Sequence, residues 1–103
     1  MTARYKIRQS AANDLEQIWQ YTFQEWGVDQ ADTYLRSILA RFSWLSQNPK
    51  LGKQRNDIEP RYYCFPEGKH LIFYTIAENS IDIIGVPHQS MDISGYFEKN
   101  TEN

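Results

Sequence analysis

The chain begins with a strand-like alternation of polar and apolar residues and then changes to a helical spacing. Residues 4–8 alternate with a period of two, which is typical of a half-buried β-strand. The polar positions are Arg4, Lys6 and Arg8, so three cations share one face. Because charge on an outer strand discourages pairing with other chains, the pattern predicts a strand at a sheet edge.

Two amphipathic helices are predicted next. Apolar residues recur every three or four positions through residues 11–26 and again through residues 31–45, so each segment presents one stripe to a core. Gly27 ends the first helix, and Asn48-Pro49 ends the second. Only two residues separate the helices, which predicts an antiparallel hairpin.

Two finer expectations concern these helices. Short polar side chains satisfy the free N–H groups at a helix start, so we expect Ser10 to cap the first helix and Asp29 to cap the second. The aromatic residues of the stripes, Trp26 among them, are expected to pack in the core or within the hairpin.

The second half of the chain predicts a sheet. Residues 50–60 carry Gly, Asn, Asp and Pro without a period and predict a loop. Three strands follow at residues 61–65, 70–77 and 81–86, and their short turns require antiparallel pairing. The tail at residues 91–97 predicts about one turn of helix. Helices and strands are segregated along the chain, so the predicted fold class is α+β: strand, helical hairpin, then a three-stranded antiparallel meander.

One face of this sheet lacks an obvious cover. Residues 70–76 are apolar on both faces, and the hairpin can cover only one. Either the tail and the 50–60 loop cover the other face, or a partner chain does. We expect the second face to stay open for a partner.

Length and composition narrow the classes of protein. A chain of 103 residues forms one domain, here residues 1–103. One cysteine excludes a disulfide scaffold, and one cysteine with two histidines cannot complete a tetrahedral metal site, so no metal or cofactor is expected. No apolar run reaches membrane-spanning length and the N-terminus does not resemble a signal peptide, so we expect a cytoplasmic protein without membrane contact.

The charge pattern disfavours a dedicated nucleic-acid binder. The net charge is −2, whereas proteins that depend on phosphate contacts are usually basic. The charge is uneven, however: residues 50–74 carry five cations and three anions between more acidic segments. This middle segment can meet an acidic partner, or it is simply part of a mixed, solvated surface.

A few side chains are candidates for chemistry. His88 and His70 lie at the ends of neighbouring predicted strands, where a general base could act, and Arg55 and Arg61 could bind phosphate. With the Tyr74 hydroxyl they resemble parts of a metal-independent ribonuclease. The alternative, a hydrogen-bonded structural histidine, is commoner at a strand end. Cys64 lies within a strand without a catalytic partner in the sequence and is expected to be a small buried residue.

Several ordered motifs resemble the ParE toxins, from residue 5 to residue 97. They are DLEQIWQYT at 14–22, WG at 26–27, QADxYL at 30–35, NPxLGxxRxDI at 48–58, FPxGxHLIFY at 65–74 and HxxMD at 88–92. Any one fragment is weak evidence for the family, whereas the ordered set with family-like spacing is specific evidence.

The resemblance implies a toxin of a type II toxin–antitoxin pair with the fold shared by ParE toxins and RelE ribonucleases. It implies inhibition of DNA gyrase by protein–protein contact, without catalysis, and neutralisation by a ParD-like antitoxin whose disordered segment folds on binding. It implies no sequence-specific nucleic-acid binding by the toxin alone. The residues expected to contact antitoxin or target are Lys53, Arg55, Arg61, His70, Tyr74, His88, Met91, Asp92 and Tyr96.

The alternative is a ribosome-dependent mRNA interferase of the RelE type. Such enzymes act without metal through basic residues on the sheet and a residue of the tail. The sequence departs from that pattern because its basic count is low and because Gln89-Ser90 follows His88, in place of an adjacent His-Tyr pair. His88 nevertheless leaves the nuclease hypothesis open.

Overall fold

A helical hairpin packs on one face of a five-stranded mixed sheet in this computed structural model, which describes residues 4–99. Residues 1–3 and 100–103 of the predicted domain lie outside the described residues. The α+β class and the predicted order of elements are confirmed. The elements are β1 (Tyr5–Ile7), α1 (Gln9–Trp26), α2 (Val28–Gln47), a 3₁₀ turn (Pro49–Leu51), β2 (Lys53–Gln54), β3 (Tyr63–Glu67), β4 (His70–Ala77), β5 (Ser80–Gly85) and α3 (Ile93–Lys99).

The sheet has the strand order β1-β5-β4-β3-β2. Strands β3, β4 and β5 form the predicted antiparallel meander, and β1 adds in parallel to β5, so that Tyr5 lies opposite Ile81. The prediction of a continuous loop over residues 50–60 is wrong in part, because Lys53 and Gln54 pair with Cys64 and Tyr63 to form β2. The first meander strand also begins two residues later than predicted.

The helix caps differ from the prediction. Ser10 lies inside α1 and is buried, and its Oγ donates to the Ile84 carbonyl at 2.7 Å; it therefore ties α1 to the sheet and does not cap the helix. Asp29 lies in the first turn of α2, whose N-cap position is Gly27. Gly27 alone joins the helices with φ +94°, a left-handed conformation that glycine adopts without strain.

The main core lies between the hairpin and the sheet. Ile38, Phe42 and Leu45 of α2 meet Ile72 and Tyr74 of β4, all fully buried. Alternation along β4 places these two residues on the hairpin face and Phe73 on the opposite face.

The expectation of an open second face is wrong. Cys64, Phe73, Ile84 and Phe97 form a second buried cluster there, and the loop residues Ile58 and Tyr62 and the α3 residues Ile93 and Tyr96 pack around it. The tail is a helix of seven residues, about two turns, which is long enough to lie across this face. The tail and the loop are therefore the cover, and the prediction that Cys64 is buried is confirmed.

Among residues 4–99, the helices include none that is both long and apolar enough to cross a membrane.

Candidate functional site

A groove of about 680 Å³ runs between the turn end of the hairpin and the segment that joins β5 to α3. Its walls come from α1, the start of α2, the β3–β4 turn and the β5–α3 segment. The residues that form it are Asp14, Gln17, Ile18, Tyr21, Thr22, Trp26, Gln30, Tyr34, Gly68, Lys69, His70, Val86, Pro87, His88 and Met91.

Exposed apolar side chains form the rim of this groove. Trp26 is 73% exposed and Tyr21 is 66% exposed, and Met91 on the opposite wall is also exposed. The expectation that Trp26 packs in the core or within the hairpin is wrong, because most of its side chain is exposed at this groove. Exposed aromatic residues beside a groove are typical of a surface that binds a partner.

A half-buried polar cluster forms the floor. The Tyr34 hydroxyl lies 2.7 Å from His70 Nδ1 and accepts a hydrogen bond from the Lys69 backbone N–H at 3.0 Å. The β3–β4 turn passes directly over this hydroxyl, where a Cβ on Gly68 would lie 2.5 Å from it. Burial, helped by the neighbouring His88, lowers the pKa of His70 to about 4. His70 is therefore neutral at physiological pH and serves to hold the turn against α2.

His88 is held by its own turn. Its Nδ1 accepts a hydrogen bond from the Ser90 backbone N–H at 3.1 Å, and the Ser90 hydroxyl lies 2.8 Å away. Its ring meets the His70 ring edge to face at 5.2 Å. No carboxylate hydrogen-bonds either imidazole among the described residues. Residues 4–99 also hold no group of three His, Cys, Asp or Glu side chains placed to bind a metal ion.

Asp14 connects the groove to the tail. Its Oδ2 accepts hydrogen bonds from the Val86 backbone N–H at 2.8 Å and from the Tyr96 hydroxyl. Tyr96 passes over Gly85 to reach this carboxylate, and a Cβ at Gly85 would lie 2.1 Å from the hydroxyl. Burial and then the Asp14 carboxylate raise the pKa of Tyr96, so the phenol stays protonated as a donor. Asp14 therefore links α1, β5 and α3.

The predicted basic residues lie elsewhere, on β2 and the loop that follows it. Arg55 makes two hydrogen bonds to Asp57 at 3.0 Å and lies 5.7 Å from the centre of the Phe73 ring. Lys53 is exposed on β2. Arg61 is exposed and has a positive φ of 75°, with its backbone N–H donating to Asn56 Oδ1. This group lies apart from the groove.

The remaining predicted site residues divide between surface and interior. Met91 and Asp92 are exposed, whereas Tyr96 packs on the second core. Tyr74 is fully buried; its hydroxyl donates to the Pro49 carbonyl at 2.7 Å and accepts from Gly52 N–H at 3.1 Å. Burial raises the pKa of Tyr74 to about 12. Tyr74 therefore anchors the 3₁₀ turn and offers no surface to a partner.

The sequence analysis does not predict the roles of three residues in this region, Tyr34, Asp14 and Tyr21. Residue type and local spacing do not predict such contacts, because the partners are far apart in the sequence. Asp14 and Tyr96, for example, are 82 positions apart.

Comparison with known proteins gives one family. The family model described as "ParE toxin of type II toxin-antitoxin system, parDE" matches residues 5–93. A protein named Toxin ParE1 from Mycobacterium tuberculosis is 38% identical over 94 residues, which is 90% of this chain and 96% of the relative. A Toxin ParE1 from Caulobacter vibrioides is 34% identical over 88 residues, 85% of this chain and 91% of the relative.

A solved structure supports the fold. A chain from the structure titled "Chromosomal ParDE TA system from P. aeruginosa" superposes with a TM-score of 0.71 and 18% identity, covering 82% of this chain and 94% of that one.

Proposed function

Because the chain belongs to the ParE toxin family of type II toxin–antitoxin systems, we propose that it arrests growth by contacting DNA gyrase and that a ParD-like antitoxin neutralises it. The observation that carries this proposal is the family match over residues 5–93. The structure supports it with two separate exposed surfaces, the apolar groove and the basic loop after β2.

The basic loop suits a contact with the target. Irregular surface segments supply binding residues more often than buried elements do. Lys53 and Arg61 are exposed here, and no ion pair joins either of them to another residue within 4–99. Arg61 also holds a left-handed backbone conformation, which costs about 1–3 kcal/mol in a non-glycine residue and is often found at functional sites. The nearby tail contributes Met91 and Asp92, since its other apolar residues are committed to the second core.

The groove suits the antitoxin. A segment that is disordered when free needs apolar anchors to offset the entropy lost on ordering, and the Tyr21, Trp26 and Met91 side chains offer them. The second sheet face does not offer such anchors, because α3 covers it.

Expression in bacterial cells tests both contacts. Expression alone should arrest growth, and co-expression with the product of the adjacent small open reading frame should restore it. The double change Lys53→Glu and Arg61→Glu should abolish arrest while the protein still co-purifies with the antitoxin. Tyr21→Ala with Trp26→Ala should have the opposite result: arrest persists and antitoxin no longer restores growth. A chain that is harmless and monodisperse without the antitoxin would contradict the proposal.

His88 separates this proposal from the RelE alternative. A general base needs an unprotonated nitrogen that faces the substrate, whereas His88 Nδ1 accepts a hydrogen bond from Ser90 N–H, so the neutral ring carries its proton on Nε2. We therefore expect His88→Gln to keep its toxicity. Loss of toxicity together with lost ribosome-dependent mRNA cleavage, in a variant that stays folded, would favour the ribonuclease.

A further inference from the structure

Two aromatic rings and a carboxylate meet where the two helices of the hairpin lie side by side. The Trp19 and Phe23 rings of α1 are nearly parallel, with ring centres 5.2 Å apart. The Trp19 indole N–H donates to Asp32 Oδ1 of α2 at 2.9 Å. Phe23 is 45% exposed, and Trp19 and Asp32 are half-buried. These three residues form the hairpin cluster.

The two rings of the hairpin cluster leave part of their faces uncovered by each other. Parallel rings in contact lie about 3.5–4 Å apart, so centres at 5.2 Å mean that the rings are displaced sideways by about 3–4 Å. Among residues 4–99, no arginine or lysine lies over either ring. The stack therefore offers an open π face to a cation from outside the chain.

The Asp32 carboxylate has an open position as well. Its Oδ1 accepts the Trp19 N–H, whereas Oδ2 makes no hydrogen bond or ion pair with any residue within 4–99. Every buried side-chain oxygen of the half-buried residues in that range has a hydrogen-bond partner, so Oδ2 must reach solvent. Arg36, one turn further along α2, is exposed and pairs with no carboxylate among the described residues.

The same components hold an arginine elsewhere in this chain. The Arg41 guanidinium lies 4.7 Å from the centre of the Trp44 ring and 5.2 Å from that of the Phe65 ring. Its Nε donates to a Glu67 carboxylate oxygen at 2.8 Å. The centres of those two rings are 5.1 Å apart, which is close to the spacing in the hairpin cluster.

A second arginine is held in a similar way. Arg55 lies over the Phe73 ring, 5.7 Å from its centre, and makes two hydrogen bonds to Asp57. In both places one planar guanidinium faces a ring and donates to a carboxylate, which the compact ammonium group of lysine cannot do in the same geometry. The hairpin cluster has the rings and the carboxylate without the arginine.

The charge around the hairpin cluster favours a cation. Residues 11–49 carry five acidic and two basic residues. Glu16 and Asp29 each lie three positions before a member of the cluster, where helical side chains are neighbours, and neither forms an ion pair within residues 4–99. Val28, 49% exposed and one turn before Asp32, adds apolar surface for the aliphatic part of a long cationic side chain.

We propose that the hairpin cluster is a binding site for an arginine side chain of a partner protein. The guanidinium stacks on the uncovered face of the aromatic pair and donates to Asp32 Oδ2, while Trp19 stays bonded to Oδ1. The site is separate from the basic loop after β2, and the inference does not depend on the identity of the target or of the antitoxin.

Nuclear magnetic resonance of the full chain tests the site with two short peptides, acetyl-Gly-Arg-Gly-amide and acetyl-Gly-Lys-Gly-amide. The indole N–H signal of Trp19 reports binding, and the signals of Trp26 and Trp44 are internal references. The arginine peptide should shift the Trp19 signal in a saturable titration. It should bind about 2–5-fold more tightly than the lysine peptide, because it adds stacking on the rings. Phe23→Ala should remove that preference.

Asp32→Asn separates binding from a purely structural role. The asparagine oxygen can still accept the Trp19 N–H, so the free energy of unfolding should change little, whereas the negative charge is lost. Affinity for the arginine peptide should fall about 2–5-fold. Asp29→Asn is the matched control, since it removes the same charge from the same helix outside the cluster, and its effect should be clearly smaller.

Four outcomes would overturn the inference. They are no saturable shift of the Trp19 signal by the arginine peptide, equal affinities for the two peptides, equal effects of Asp32→Asn and Asp29→Asn, and tighter peptide binding by Arg36→Gln. The last would show that Arg36 already fills the site in solution. Since only the toxin and the peptides are measured, these outcomes leave the gyrase and antitoxin proposals to their own assays.

Discussion

Replacing Phe97 with alanine should show how much stability depends on α3 covering the second sheet face. Phe97 is 8% exposed, and its ring centre lies 5.0 Å from that of Phe73, 5.2 Å from Tyr62 and 4.9 Å from Tyr96. Burial of a phenylalanine contributes about 1.5–3 kcal/mol, and each aromatic pair adds roughly 0.5–1.5 kcal/mol. With the cavity left behind, Phe97→Ala should cost about 3–5 kcal/mol. The total free energy of unfolding of a small domain is about 5–15 kcal/mol, so this loss would be a large part of it.

Urea unfolding followed by tryptophan fluorescence measures this loss, since the three tryptophans lie in the hairpin, away from the substitution. Phe23→Ala is the matched control: Phe23 is 45% exposed and stacks on Trp19 alone among the described aromatic rings, so its removal should cost about 1 kcal/mol. Phe97→Leu keeps most of the volume and should stay folded if Phe97→Ala does not. Equal losses for Phe97→Ala and Phe23→Ala would refute the assignment of α3 as a cover.

Three other perturbations test particular contacts. Tyr96→Phe should cost about 1–2 kcal/mol in urea unfolding, because it removes the donor to Asp14; an unchanged stability would contradict the link between α1 and α3. Gly52→Ala should be strongly destabilising, since a Cβ there would lie 2.2 Å from the buried Tyr74 hydroxyl, and Tyr74→Phe in the same chain should restore part of the loss. The folded-state pKa of His70, about 4, lies below its usual 6.5; the unfolded chain therefore binds more protons in between, so stability should be complete above pH 6.5 and should fall as pH drops toward 4. His70→Gln should flatten that fall, and a proton NMR titration of His70 with a midpoint near 6.5 would contradict the burial argument.

The sequence was sufficient to predict elements whose periodicity is uninterrupted. The α1 and α2 stripes, the meander and the edge position of β1 follow from local spacing, and the structure confirms them. Cap positions were not predictable in the same way, because Ser10 has a cap-forming side chain that instead reaches the Ile84 carbonyl, 74 positions away.

The candidate site was harder to predict because the fold brings together residues that are far apart in the sequence, and local spacing does not reveal such contacts. Tyr74 has the chemistry of a contact residue, yet alternation along β4 turns it into the core. Trp26 belongs to an apolar stripe yet is largely exposed, and nothing in the sequence signals that exposure. Phe73 is covered because seven residues of the tail form about two turns of helix. The sequence of so short a segment, without a strong cap, does not predict whether it is helical.

Supercoiling of relaxed plasmid by purified DNA gyrase tests the proposed function most directly. Saturating full-length toxin should stop supercoiling, the Lys53→Glu, Arg61→Glu variant should not, and prior addition of the antitoxin should protect the enzyme. Undiminished supercoiling at saturating toxin, with ribosome-linked cuts in the mRNA of arrested cells, would contradict the gyrase assignment.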